Sequence, residues 1–124
     1  MNQAELQKLV EEITKEDQSF YRIGNETYTS SALNRVYLQY FHVPFKHEVK
    51  INNRMTTTGG RYFLKDHHID INGHFLEKKY HADLVGIIKH ELTHYHLHLA
   101  GRGYQHRNRD FKNLLAAVGG SRYT

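Results

Sequence analysis

Apolar residues recur along the first stretch of the chain with the period of a helix. Leu6, Leu9, Val10 and Ile13 fall at i, i+3, i+4 and i+7, with Glu5, Lys8, Glu11, Glu12 and Lys15 elsewhere. That spacing predicts an amphipathic helix over residues 4–16, packing one face on a core. Residues 17–28 are mixed, and Gly24-Asn25 marks a turn. A second helix is predicted after Ser30 or Ser31, with Leu33, Val36, Tyr37, Tyr40 and Phe41 as its apolar stripe and Pro44 as its stop. Its aromatics read as core rather than as a binding platform. From His47 the period shortens toward two. Val49 and Ile51 alternate with Lys50 and Asn52, a Thr56-Thr57-Thr58-Gly59-Gly60 turn region follows, and residues 61–65 and 68–72 read as two more strands. The three strands, closed by Asn72-Gly73, predict a small antiparallel sheet or meander. Gly59-Gly60 reads as a tight turn, or as an open strand edge where an extended peptide can pair.

The helical period returns over residues 84–99. With His90 set at 0° and about 100° per residue, His94 falls at about 40°, His98 at about 80° and Glu91 at about 100°. Leu84, Tyr95, Ile88, Leu99, Leu92 and Val85 fill the arc from about 120° to 220°. One stripe is wholly apolar, and the adjoining stripe carries His90-Glu91-x-x-His94, the HExxH pattern of zinc peptidases. Two imidazoles one turn apart on one helical face can bind one zinc ion, with Glu91 beside it to handle a water held there. In a chain with 11 histidines the motif alone has little weight; the sorting of the two stripes gives it more. Asp83 belongs in the first turn, where a carboxylate suits the positive end of the helix dipole. The helix should stop at Ala100-Gly101-Arg102-Gly103.

A catalytic zinc site takes three protein ligands and leaves a position for water. His98 shares the face but lies eight residues from His90, about 12 Å along the axis. His96 points about 240° around, to the far side. No glutamate follows Glu91, and Leu97 and Ala100 occupy the positions of the glycine and last histidine of HExxHxxGxxH. That leaves His106 and Asp110, beyond the glycine turn that lets the chain fold back over the metal face. His106 is preferred, because neutral imidazole is the commoner partner in such sites. His67, His68, His74 and His81, like His42 and His47, read as surface or hydrogen-bonded residues.

Bulk properties narrow the class. At 124 residues the chain is long enough for one domain with a modest core. There is no apolar run of 18 residues to span a membrane, and the start Met1-Asn2-Gln3-Ala4-Glu5 lacks the basic and apolar regions of a signal peptide. There is no cysteine to supply a disulfide, a thiolate ligand or a nucleophile. A cytoplasmic protein is expected. The net charge is +4, and residues 101–124 account for it, with Arg102, Arg107, Arg109, Lys112 and Arg122 against Asp110 alone. Such a basic 102–122 segment attracts phosphate backbones at long range, or it is a solvated face.

Further features carry a family resemblance. His90-Glu91-x-x-His94-Tyr95-His96-Leu97-His98, followed by Gly101-x-Gly103-Tyr104-x-His106-Arg107-x-x-Asp110-Phe111-Lys112, resembles the SprT-like metalloprotease family in its small bacterial cytoplasmic branch. Asn53-Arg54-Met55-x-Thr57-Thr58-Gly59-Gly60-Arg61-Tyr62 and Ile69-Asp70-Ile71-Asn72 resemble strand motifs of the same branch. The resemblance runs from about residue 45 to 122. It implies one zincin-like α+β domain over residues 1–124, its HExxH helix against a short three-stranded sheet with additional helices. It also implies Zn²⁺ at His90 and His94 with Glu91 as catalytic residue. In the more distant Spartan-type proteases, which degrade DNA–protein crosslinks, a third histidine shortly precedes an acidic-aromatic pair. Asp110-Phe111 resembles that pair and His106 is the nearest histidine, one residue further away than in those relatives. The zinc ribbon with which the family often continues is expected to be absent from this chain.

The expected activity is hydrolysis of a protein or peptide substrate, on DNA-associated proteins if the basic segment engages DNA. Glu91 takes a proton from the water and delivers it to the leaving amine. Arg61, Tyr62 or Tyr104 is a candidate donor to the oxyanion. The competing reading is a non-catalytic, zinc-containing module that binds DNA or protein. An intact Glu91 favours the first, since a structural site needs no general base.

Overall fold

Asn2 opens the first helix. Its side chain accepts from the backbone of Glu5 at 2.8 Å, and Glu5 reaches back to the backbone of Asn2 at 3.1 Å, so two of the unpaired amides at the helix start are satisfied. In the computed structural model, residues 1–17, 19–20 and 44–122 are described. The Gly24-Asn25 turn and the helix predicted through Leu33 and Phe41 lie outside them. Among the described residues the order is α1 (Gln3–Glu16), β1 (Val49–Asn52), β2 (Gly60–Tyr62), β3 (Ile69–Asn72), two short 3-10 turns (Gly73–Leu76 and Lys78–Tyr80), α2 (His81–Leu99) and α3 (Arg109–Val118). The class is α+β.

The sheet is mixed rather than an antiparallel meander. Its order is β1-β3-β2, with β1 parallel to β3 and β2 antiparallel to it. The chain leaves β1, crosses to the far edge as β2, and turns back into the middle as β3. Alternation of polar and apolar residues marks which face is buried, but not which strand lies between which. All four residues of β3 are buried, as expected of a central strand. Its polar members are satisfied: Asp70 accepts from Asn52 Nδ2 at 2.9 Å, and Asn72 Nδ2 donates to the Thr58 carbonyl at 2.9 Å.

The two sheet edges are treated differently. Along β1, two glutamines one helical turn apart on α1 act as a fourth strand. Gln7 accepts from Val49 N–H at 2.8 Å and donates to the His47 carbonyl at 2.9 Å; Gln3 accepts from Ile51 N–H at 3.1 Å and donates to the Val49 carbonyl. That edge is closed. On β2, Arg61 is the residue paired with Asp70 across the sheet. The alternation of an antiparallel ladder turns the backbone groups of Gly60 and Tyr62 the other way, toward the outer edge.

The core gathers between α1, the sheet and α2. Leu6 and Val10 of α1, Val49, Ile69 and Ile71 of the sheet, and Leu84, Ile88, Leu92 and Tyr95 of α2 are at most 1% exposed. Leu99, in the same stripe by angle, is 44% exposed because it stands at the helix end. Helix α2 is buried on more than its apolar side, since Leu97 and His96 are covered as well. It ends as its glycine implies. Gly101 has φ +70° and Arg102 N–H returns to the Leu97 carbonyl at 2.8 Å. Helix α3 is an element that the basic charge of residues 101–124 overshadows. Phe111, Leu114, Leu115 and Val118 recur at i, i+3, i+4 and i+7, and all are buried. Lys89 of α2 ties the helices together, donating to the Val118 carbonyl at 2.8 Å and lying 3.8 Å from Asp17. No helix among the described residues is long and apolar enough to cross a membrane.

Candidate metal centre

Helix α2 presents His90 and His94 on one face, and the loop after Gly101 folds back to bring His106 between them. The Nε2 atom of His106 lies 3.0 Å from Nε2 of His90 and 3.0 Å from Nε2 of His94. The three imidazoles form the group of potential ligands found among the described residues, their donor atoms all within 4.8 Å of one another.

Neighbouring backbone fixes the tautomers. Nδ1–H of His90 donates to the Ser121 carbonyl at 2.6 Å, and Nδ1–H of His94 donates to the Tyr104 carbonyl at 2.6 Å. The Nε2 atoms of both therefore turn lone pairs toward His106. Burial lowers the pKa of His90 and pushes that of His94 down to about 4, against the opposing pull of the carbonyls. The rings are held neutral. At most one proton can lie among three nitrogens this close, so the remaining lone pairs repel unless a cation stands among them. The residues fit a metal ion. Neutral imidazoles whose other nitrogens are bonded to carbonyls are the arrangement metal-binding histidines adopt.

Phe111, 2% exposed, backs the group: its ring centroid is 5.3 Å from His90, 4.4 Å from His94 and 5.1 Å from His106. Glu91 is 2% exposed and lines the same cleft, about 650 Å³, with the three histidines. Its near wall is Gly60, where a Cβ would come within 3.0 Å of Glu91 Cγ and 3.1 Å of Ile87 Cγ2. The glycine pair is thus needed where α2 packs closely on β2, a role that its reading as a turn misses. A larger cleft, about 820 Å³, lies beside the first half of α2, around Asp83, Gly86 and Ile87; the imidazoles line the smaller one.

Arg61, Tyr62 and Tyr104 all border the cleft. Arg61 is exposed, its guanidinium 4.9 Å from the Phe63 ring centre. The Tyr62 ring lies parallel to His94, centroids 6.5 Å apart. Its hydroxyl sits between Nδ1 of His67 at 2.8 Å and Nδ1 of His98 at 2.6 Å. With one proton to give, it donates to one of these imidazoles and accepts from the other. Burial raises its pKa well above the usual phenol range. Tyr104 contributes its carbonyl to His94 and sets its ring against His98, 4.7 Å between centroids.

The other candidates stand elsewhere. His98 is spent on Tyr62, one turn beyond the triad. His96 faces the core, with Nε2 3.4 Å from Thr14 Oγ1 and its ring against Phe20. Asp110 accepts from Arg102 and from Gly103 N–H instead of facing the imidazoles. His68 bridges Asp66 at 2.6 Å and Asp70 at 3.1 Å, and His74 packs on Tyr80. The contributions of Ser121 and Tyr104 are main-chain carbonyls, for which side-chain patterns hold no signal. That of Phe111 was readable from its place on an apolar stripe.

The family model described as the SprT-like family matches residues 27–124. The chain belongs to the SprT-like family. Among curated relatives, "Protein SprT-like" of Bacillus cereus (strain B4264) is 46% identical over 123 residues, and that of Bacillus anthracis (strain A0248) is 43% identical over the same span. The alignments take in 99% of this chain and 66% of each relative, so the chain spans just under two thirds of their length. No solved structure matches.

Proposed function

We propose that this SprT-like chain is a zinc-dependent metallopeptidase with a zincin-like arrangement of its HExxH helix. The observation that carries the reading is the meeting of Glu91 with three imidazoles in one cleft. His90, His94 and His106 would hold the ion, and an all-imidazole donor set suits Zn²⁺. When bound, zinc supplies Lewis acidity toward a peptide carbonyl and makes water a nucleophile near neutral pH.

The rest belongs to the chain. Glu91 accepts the proton of the attacking water and returns it to the nitrogen of the departing amine. Arg61 or Tyr104 donates to the oxygen that gains charge, the Tyr62 proton being engaged between His67 and His98. The outer edge of β2, with Gly60 and Tyr62 presenting backbone groups at the cleft, pairs with an extended protein or peptide substrate. This fits the contrast between the glutamine-capped edge of β1 and the β2 edge, to which no strand pairs among the described residues. The exposed Arg107, Arg109 and Lys112 lie just beyond His106 and would draw DNA-bound proteins toward the cleft through the phosphate backbone. Arg102 is engaged with Asp110 and adds little to that field.

Glu91→Gln tests the reading. It should bind zinc as the wild type does and lose cleavage of casein, or of a protein crosslinked to DNA, by at least about 100-fold, the usual contribution of a general base. A zinc-loaded variant that cleaves at the wild-type rate removes Glu91 from the chemistry. Zinc-loaded wild type that stays inert on every substrate, yet binds DNA or protein, favours the non-catalytic module.

A further inference from the structure

His106 is the one member of the triad that no helix carries. It is exposed, in the loop between the end of α2 and the start of α3. A loop ligand loses conformational freedom when it takes up an ion, and affinity falls by that cost unless the loop is already shaped. Here the loop is tied into one form by contacts that do not involve His106. Asp110, in the first turn of α3, accepts from Arg102 Nη2 at 3.0 Å, from Arg102 Nε at 3.2 Å and from Gly103 N–H at 3.1 Å. These bonds join the entry of the loop to its exit. A second tie closes around the histidine itself. Gln105 N–H donates to Asn108 Oδ1 and Asn108 N–H donates to the Gln105 carbonyl, both at 2.9 Å. The chain passes so near itself that a Cβ on Gly103 would lie 2.8 Å from Asn108 Cβ. Beyond Asp110, Phe111 anchors α3 against all three imidazoles.

We propose that Asp110 is a positioning residue for the metal centre: through Arg102 and Gly103 it shapes the loop that delivers His106 to His90 and His94 before an ion arrives. This rests on the metal reading of the histidines. The Arg102–Asp110 pair is about one third exposed on each side, and pairs so placed contribute little to folding. Its effect is on ligand placement.

The test measures zinc affinity by competition with a chromophoric chelator, alongside thermal unfolding of the metal-free proteins. Asp110→Asn should weaken zinc about 10- to 100-fold, the range for partners that orient a ligand. In a His106→Ala background the same substitution should change affinity less than about twofold, because the two residues act as a unit. Arg102→Lys, which keeps the charge but not the planar fork, should weaken zinc only when His106 is present, and it carries the comparison if Asp110→Asn does not fold. Unchanged affinity in the variants overturns the proposal. So does an equal loss with and without His106, the mark of general destabilisation. Wild type that takes up no zinc sinks the metal reading itself, whereas tight wild-type binding with tight variant binding sinks only the role of Asp110.

Discussion

His90 and His94 are set by their neighbours to offer Nε2, and His106 meets both at 3.0 Å. His98 shares their helical face but gives Nδ1 to Tyr62. Removing His106 should therefore cost zinc affinity at least about 100-fold, while His98→Ala should leave it within a few-fold, as judged by chelator competition. The helical wheel already separated these cases, because axial rise put His98 a turn too far. It could not choose between His106 and Asp110, since that depends on how a loop closes. At the same scale, His96 makes the metal-free chain sensitive to acid. Burial pushes its pKa down to about 3, against about 6.5 in the unfolded chain. Between those values the unfolded state binds a proton that the folded state refuses, so stability falls as pH falls. One such group removes about 2 kcal/mol between pH 7 and 5, and His90 and His94 act in the same direction. Urea unfolding of metal-free protein at pH 7, 6 and 5 should show this slope, and His96→Leu should flatten it. A slope unaltered by that substitution would assign the acid sensitivity to other groups.

Among the elements, the helices were more legible than the sheet. Periodicity gave α1 to within a residue and α2 to its last residue, though α2 begins at His81, three residues before the periodic stretch; each buries a stripe that recurs at helical spacing. It located the strands but not their order, since direction and neighbour are settled by the crossover through residues 53–59. Strand β2 stops at Tyr62 rather than running to Lys65, because the backbone turns through His67, which adopts φ +64°. Helix α3 could have been read from Phe111, Leu114, Leu115 and Val118. The glutamines of α1 could not, for their partners are backbone groups some 40 residues away in sequence. Gln7→Ala leaves two of those groups without partners and should cost about 1–3 kcal/mol in denaturant unfolding. No measurable loss would mean that water replaces the amide. On the opposite edge, Gly60→Val forces side-chain atoms into Ile87 and Glu91. Overpacking of this kind costs about 1–3 kcal/mol, and here it should also lower peptide cleavage by displacing Glu91.

At the scale of the whole molecule, the triad draws together parts that packing and a few hydrogen bonds, such as Lys89 to the Val118 carbonyl, already hold. Two imidazoles come from α2, the third from the loop, and the ring backing them from α3. Metal bound to this folded arrangement and not to the unfolded chain stabilises it by mass action, so chelation should lower the melting temperature and zinc should restore it. His106→Ala should shrink that difference. The family came through clearly from the motifs, because the residues that define it also define the site. The most direct check on the account is an anomalous difference map at the zinc edge from a crystal of the zinc-loaded chain. A single strong peak about 2.1 Å from Nε2 of His90, His94 and His106, with Glu91 facing the same cleft, is the expected result. A peak centred elsewhere, on His67 and His98 for instance, or none at the triad in fully loaded protein, would contradict it.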